Sequence, residues 1–331
     1  MKKVLRIAGI VLGVFVVLII AGLVYFNSTY PKMVPPPNIK VNATPEMIAR
    51  GEYLANHVTV CMDCHSTRDW SKYSGPITPG TEGKGGDKFD ETMGIPGTIY
   101  AKNITPAGIG HWTDAELARA ITQGLNKDGK ALFPLMPYHS YNTIEVQDLK
   151  SIIAYIRTLK LIKNEVPDHD LNFPLNFIVK TMPLDKYHPS KVNKSNSVEY
   201  GKYLVNIAGC EDCHTPSEKG ERDMTKRFAG GHTFTTPDYT ITVANISPDK
   251  ETGIGNWTKE FFINKFRTYT DAKFKSVNLT KEEFNTFMPW TMFGGMSDED
   301  LGAIYDYLHS VKPVKNSVQK WTKINQQFSN K

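Results

Sequence analysis

Two short runs hold every cysteine of the chain, Cys61-Met62-Asp63-Cys64-His65 and Cys210-Glu211-Asp212-Cys213-His214. C-x-x-C-H is the attachment signature of a c-type haem. Two thiols three positions apart can each add to one vinyl group of a porphyrin, and the following His is then held beneath the iron as its proximal ligand. All 4 cysteines are consumed. A four-Cys zinc site sets its pairs about 15–20 residues apart, whereas these runs start 149 apart. A thioredoxin-like Cys-x-x-Cys stands singly beside a βαβ pattern, and nothing here alternates in that way. The spacing predicts two covalently bound haem c groups.

The ligand opposite the His decides what such an iron does: Met gives an electron-transfer centre of raised potential, an open position gives ligand binding or catalysis. Met136-Pro137 lies 75 residues after Cys61, and Met288-Pro289 lies 78 after Cys210. Proline after the Met excludes continued helix and fixes a loop that can present the thioether inward. The expected metal ligands are therefore His65 with Met136, and His214 with Met288. Met292 and Met296 have no counterpart in the other half and are assigned to packing; Met182 of Met182-Pro183, in the linker and also without a counterpart, is given no role. His57, His111, His139, His169, His188, His232 and His309 are unrepeated and read as surface or core residues. Arg68 and Arg119 are candidates to pair with haem propionates. Trp112 and Trp257 are candidates to pack beside the ring.

The elements that must position these residues form an internal repeat. Gly51-Glu52-Tyr53-Leu54 returns as Gly201-Lys202-Tyr203-Leu204, and Asn103-Ile104-Thr105-Pro106 as Asn245-Ile246-Ser247-Pro248. Gly108-Ile109-Gly110-His111-Trp112-Thr113 returns as Gly253-Ile254-Gly255-Asn256-Trp257-Thr258, and Met136-Pro137-Tyr138 as Met288-Pro289-Trp290. Such a period is too long for a solenoid and suits a duplicated domain. Thr44-Pro45-Glu46 reads as a helix start. Thr113-Asp114-Ala115-Glu116 is a capping box, and Ser297-Asp298-Glu299-Asp300 resembles one. Apolar residues at 149, 152, 153 and 156, and at 301, 304, 307 and 308, mark a closing amphipathic helix in each repeat.

With 331 residues, 40% hydrophobic and 22% charged, the chain is an ordinary folded protein. A net charge of +5 makes no case for nucleic acid. Lys2, Lys3 and Arg6 precede an uncharged run from Ile7 to Phe26, the length of a membrane-spanning helix and longer than a signal-peptide core. The positive-inside rule puts everything after residue 27 outside. That predicts a single-pass protein of the bacterial inner membrane with its body on the periplasmic side; the alternative is a cleaved signal, for which Ala21-Gly22 offers a weak small-residue site. The Pro-rich stretch after the run reads as an extended spacer.

These residues resemble tandem cytochrome c proteins of the class I type, and most of all the cytochrome c subunits of membrane-bound alcohol, aldehyde and gluconate-type dehydrogenases. The likeness rests on Gly-x-Tyr-Leu before each C-x-x-C-H, on the Asn-Ile-[Thr/Ser]-Pro and Gly-Ile-Gly-x-Trp-Thr segments, and on Met-Pro-[Tyr/Trp]. It implies a mainly α fold of two tandem cytochrome c domains after an N-terminal transmembrane helix. It also implies that the first and last helices of each domain cross through Gly51 with Tyr155 and Gly201 with Tyr307. The expected divisions are an anchor at 1–27, a spacer at 28–43, domain 1 at 44–161, a linker at 162–197, domain 2 at 198–313 and a polar tail at 314–331. By the same likeness, haem binding falls on Cys61, Cys64, His65, Met136, Cys210, Cys213, His214 and Met288. The chain departs from those subunits, which commonly carry three haem domains and a removable signal. The expected role is electron transfer without substrate chemistry, from a donor dehydrogenase or quinol-oxidising complex to an acceptor cytochrome or oxidase. The alternatives are a dihaem peroxidase, which needs one open iron, and a docking subunit that wires a larger respiratory complex.

Overall fold

The computed structural model describes residues 1–331 apart from 219, 237–238, 271–276, 281–282 and 325–331. One long apolar helix, α1 (Lys2–Thr29), has none of its residues buried and touches the body at its C-terminal end. The first half follows: α2 (Pro45–Tyr53), α3 (Cys61–His65), α4 (Pro106–Ile109), α5 (Asp114–Gln123), α6 (Tyr138–Tyr141) and α7 (Val146–Ile156). After a connection carrying α8 (Leu175–Ile178) come α9 (Ser197–Ile207), α10 (Cys210–His214), α11 (Lys259–Arg267), α12 (Trp290–Phe293) and α13 (Asp298–Ser310). The helix starts agree with their capping residues. The Thr44 hydroxyl accepts from Met47 N–H, and Thr113 with Glu116 closes a full capping box. Ser297 caps α13 through Asp300 N–H, but the Asp300 carboxylate turns away to a partner in the other half.

In each half the first and last helices cross at backbone contact. A Cβ on Gly51 would lie 1.8 Å from the Ser151 carbonyl oxygen and 2.8 Å from Tyr155 Cβ. On Gly201 it would lie 1.8 Å from the Ala303 oxygen and 2.9 Å from Tyr307 Cβ. No side chain fits. Gly201→Ala should therefore force the helices apart at a cost of about 3 kcal/mol, at the upper end for overpacking. For a unit of this size that is a fall of roughly 10 °C in Tm, readable by calorimetry. An unchanged Tm would mean that the α9–α13 crossing is not the close contact described.

The halves meet through a reciprocal set of bonds, the mark of a two-fold arrangement. Tyr53 Oη donates to Asp300 (2.6 Å) and accepts from Ser297 N–H (3.0 Å). Tyr203 Oη donates to Asp148 (2.8 Å) and accepts from Glu145 N–H (3.3 Å). These are the same repeat positions exchanged between halves. His57 Nδ1 donates to the Met292 carbonyl (2.9 Å), while Asn206 donates to the Ser140 carbonyl at the equivalent position (3.1 Å). One buried cluster, from Leu54 and Met62 to Leu301 and Leu308, runs through both halves.

Two segments depart from the expected divisions. The stretch at 28–43 is not a free spacer: Val34 and Ile39 are buried, Arg119 donates to the Val34 carbonyl (3.1 Å), and Val41 N–H donates to Asp114 (3.0 Å). The stretch after Pro313 is not an idle tail. β1 (Lys88–Phe89), β2 (Gly97–Tyr100) and β3 (Asp170–Leu171) form one small antiparallel sheet. After the hairpin of β4 (Ser217–Glu218) and β5 (Glu221–Arg222), β6 (Thr233–Thr235), β7 (Tyr239–Thr242) and β8 (Trp321–Lys323) form its counterpart. The repeat thus continues past each closing helix, into the linker in one half and the tail in the other. Residues 325–331 of the expected tail lie outside the described residues.

Candidate functional site

The Asn-Ile-[Thr/Ser]-Pro segments gain a physical meaning here. Asn103 Oδ1 accepts from Thr105 N–H (2.9 Å), and its amide donates to the Ile162 carbonyl (2.8 Å). Asn245 does the same with Ser247 N–H (2.9 Å) and the Val314 carbonyl (2.8 Å). Each Asn ties its loop to the chain emerging from the closing helix.

Each C-x-x-C-H run is a single helical turn entered through a left-handed residue, Val60 (φ 43°) before α3 and Gly209 (φ 66°) before α10. That conformation suits Gly and strains a β-branched Val. The Asp63 and Asp212 N–H groups close back on the Val60 and Gly209 carbonyls at 2.9 and 3.0 Å. His65 Nδ1 donates to the Lys102 carbonyl (2.6 Å), and His214 Nδ1 donates to the Ala244 carbonyl (2.8 Å). This fixes the tautomer and leaves Nε2 as the nitrogen with a free lone pair, the arrangement by which proteins orient an iron-ligating imidazole. Burial pushes both imidazoles toward the neutral form, His214 to about 4.

A pair of glycines that the sequence reading missed completes the support. Gly85 N–H donates to the His65 carbonyl and Gly230 N–H to the His214 carbonyl, both at 2.8 Å. Both glycines are left-handed (φ 68° and 69°), and a Cβ would press on the backbone of Lys102 or Ala244 at 2.5 or 2.4 Å. The recurrence of Gly-Gly as Gly85-Gly86 and Gly230-Gly231 was the signal available for them.

The two Met-Pro steps share one geometry. Tyr138 N–H donates to the Met136 carbonyl (2.7 Å) and Trp290 N–H to the Met288 carbonyl (2.8 Å). The prolines between them have ψ of 54° and 60°. Both are inverse γ-turns. The Met288 turn is further clamped from the other half, where Ser74 Oγ donates to the Met288 carbonyl (2.6 Å) and accepts from Trp290 N–H (3.0 Å).

Cys61, Cys64, His65, Met136, Cys210, Cys213, His214 and Met288 all line one connected cavity of about 2140 Å³, as do Trp112 and Trp257. That is about twice the upper bound of an ordinary small-molecule site. The cavity, the oriented imidazoles and the methionines that line it fit a large flat iron-bearing cofactor at each motif. Met292 and Met296 are buried; Met296 lines the cavity and Met292 does not. Met182 lines it too, as do His139, His169 and His232, which the sequence had suggested were plain surface or core residues.

Neither Arg68 nor Arg119 lines the cavity. Arg119 is buried and donates to the Val34, Asn126 and Lys127 carbonyls. Arg68 donates to the Gly75 and Ser74 carbonyls, pairs with Asp63 at 2.7 Å and lies over the Trp70 ring. Both guanidiniums hold loops in place.

Residues 198–312 match the family model of cytochrome c. The chain is 27% identical over 307 residues to the cytochrome c subunit of a quinone alcohol dehydrogenase from Gluconacetobacter polyoxogenes, covering 85% of this chain and 59% of that subunit. It is 29% identical over 287 residues to the cytochrome subunit of fructose dehydrogenase from Gluconobacter japonicus, covering 82% and 54%. It therefore spans little more than half the length of those subunits. A diheme cytochrome c-type protein of Cereibacter sphaeroides is 30% identical over 266 residues, covering 77% of this chain and 83% of that one.

Proposed function

The chain belongs to the c-type cytochromes, and on that premise we propose that it is a membrane-anchored dihaem electron carrier. Its two tandem cytochrome c domains run from residue 44 through β3 and from residue 198 through β8. The role is to pass single electrons from a dehydrogenase or quinol-oxidising complex to a downstream cytochrome or oxidase, with no substrate chemistry of its own. α1 crosses the bacterial inner membrane and holds the body on the periplasmic side. The observation that carries this reading is the shared cavity, onto which both attachment turns, both oriented histidines and both Met-Pro turns open.

When bound, haem c supplies reversible one-electron chemistry at its iron, and His with Met ligation raises its potential. The chain's own residues do the rest. Cys61 with Cys64, and Cys210 with Cys213, would hold the groups through their thiols. The Lys102 and Ala244 carbonyls fix Nδ1 of His65 and His214, so that Nε2 would be free to ligate the iron. Met136 and Met288 would supply the second ligand of each group, and Trp112 and Trp257 wall the cavity. Both attachment turns border the one cavity, an arrangement that suits transfer inside one chain.

The test is a redox titration of the detergent-solubilised full chain. Two reversible one-electron steps, low-spin spectra and negligible peroxide reduction are expected. A high-spin signal with rapid peroxide turnover would favour the enzyme reading. Co-purification with a dehydrogenase distinguishes a mobile carrier from a bound subunit.

A further inference from the structure

The connection around α8 presents an apolar surface that the fold leaves bare. Phe173 is 80% exposed and Ile178 45% exposed, and contiguous bare apolar surface marks a contact site. Its position follows from α1. The Phe177 ring packs on Phe26 at 5.7 Å, and Lys180 Nζ donates to the Asn27 side chain at 2.7 Å. Phe26 ends the apolar run that begins at Ile7, and the polar Asn27-Ser28-Thr29 follow it. Twenty residues rising about 1.5 Å each span about 30 Å, the thickness of the hydrocarbon core. With Arg6 at one boundary of that core, Phe26 lies at the other, and whatever touches Phe26 and Asn27 lies at headgroup depth. Aromatic rings and lysines whose stems lie along apolar surface are favoured in that layer. The Lys180 ammonium lies 5.5 Å from the Phe177 ring, which pairs a cation suited to anionic headgroups with the apolar face.

We infer that Phe173–Lys180 is a second membrane contact, seated in the headgroup boundary of the same bilayer that α1 crosses. The inference rests on the anchor reading of α1. Its consequence is orientation. Leu175 and Val179 pack in one small cluster with Ile95, Ile99 and Phe133, and these last three line the cavity. A helix alone would leave the body free to swing, whereas two contacts hold the first-half wall of the cavity toward the membrane.

The test uses the full haem-loaded chain in phosphatidylcholine–phosphatidylglycerol vesicles. A nitroxide is placed on single added cysteines at Phe173→Cys, Ile178→Cys, Val17→Cys in α1 and Phe261→Cys on the exposed face of α11. The positions are exposed, so the body should fold unchanged. Collision with oxygen, which enters lipid, is compared with collision with a water-soluble nickel chelate. The oxygen-to-nickel ratio at 173 and 178 is expected to be several-fold above that at 261 and below that at 17. A ratio at 173 and 178 equal to that at 261, with 17 deep, overturns the second contact and leaves the anchor standing. Labels at 173 and 178 shielded from both reagents mean a protein covers the patch, which also overturns it. A shallow value at 17 overturns the anchor and this inference together.

Discussion

Replacing Cys210 and Cys213 with Ala should halve the covalent haem of the purified chain, from two groups to one, in a pyridine haemochrome assay. Cys61→Ala with Cys64→Ala should do the same from the other side, and the fourfold variant should carry none. On the dihaem reading proposed above, the thioethers would be the covalent hold at each turn, and His with Met alone would keep a haem only non-covalently. The remaining half keeps its own supports: the Gly51 or Gly201 crossing, the Asn103 or Asn245 tie and the glycine beneath the histidine. Stability should still fall across the whole chain, because both motifs border one cavity and the buried cluster is continuous. A chain with both turns intact and one haem would overturn the dihaem reading. A double variant that retained two would mean that the thiols are not the attachment points.

What the sequence revealed and what it hid follow from how each feature is made. Features made by side chains could be read. Gly51 and Gly201 are glycine because a Cβ would strike a helix carbonyl, and the Thr113 box uses the two side chains that define it. Features made by backbone could not. β3 and β8 are two and three residues long and pair through main-chain groups, so their sequences carry no alternation to find. The Ile162 and Val314 carbonyls that receive the Asn ties are available at any residue type, which is why the repeat seemed to stop at its last helix. The docked stretch at 28–43 looked like a spacer because its prolines do favour an extended course; that course is simply laid along α5 and held by Arg119 and Asp114. Arg119, a candidate partner for a propionate, does not border the cavity and instead donates to the Val34, Asn126 and Lys127 carbonyls. The reciprocal Tyr53–Asp300 and Tyr203–Asp148 bonds were present in the repeat as aligned positions, but a single repeat cannot show that its partner residue lies in the other copy.

Met288→Ala should abolish one of two Met-ligand signals in the oxidised spectrum, and either lower one midpoint potential or open that iron to added ligands, while the other centre stays unchanged. Axial identity is among the strongest levers a protein has on haem redox behaviour. Three methionines compete for the role in the second half. Met288 alone shares its turn with Met136: the residue two positions on donates to its carbonyl, and the proline between holds the same ψ. Ser74 then grips the carbonyl and the following Trp290 N–H, so the thioether is presented from a backbone fixed at both ends. Met292 sits on α12 away from the cavity, with its carbonyl taken by His57. Met296 borders the cavity without such a turn, which makes it the sharper control. Met292→Ala and Met296→Ala should keep both signals and cost about 2–5 kcal/mol each through lost core volume. Ser74→Ala should keep the Met288 signal but make it more easily displaced by an added ligand, since it removes the clamp and not the sulfur. If Met296→Ala removes the signal and Met288→Ala does not, the shared γ-turn is a loop feature without a ligand role, and the assignment of Met136 falls with it.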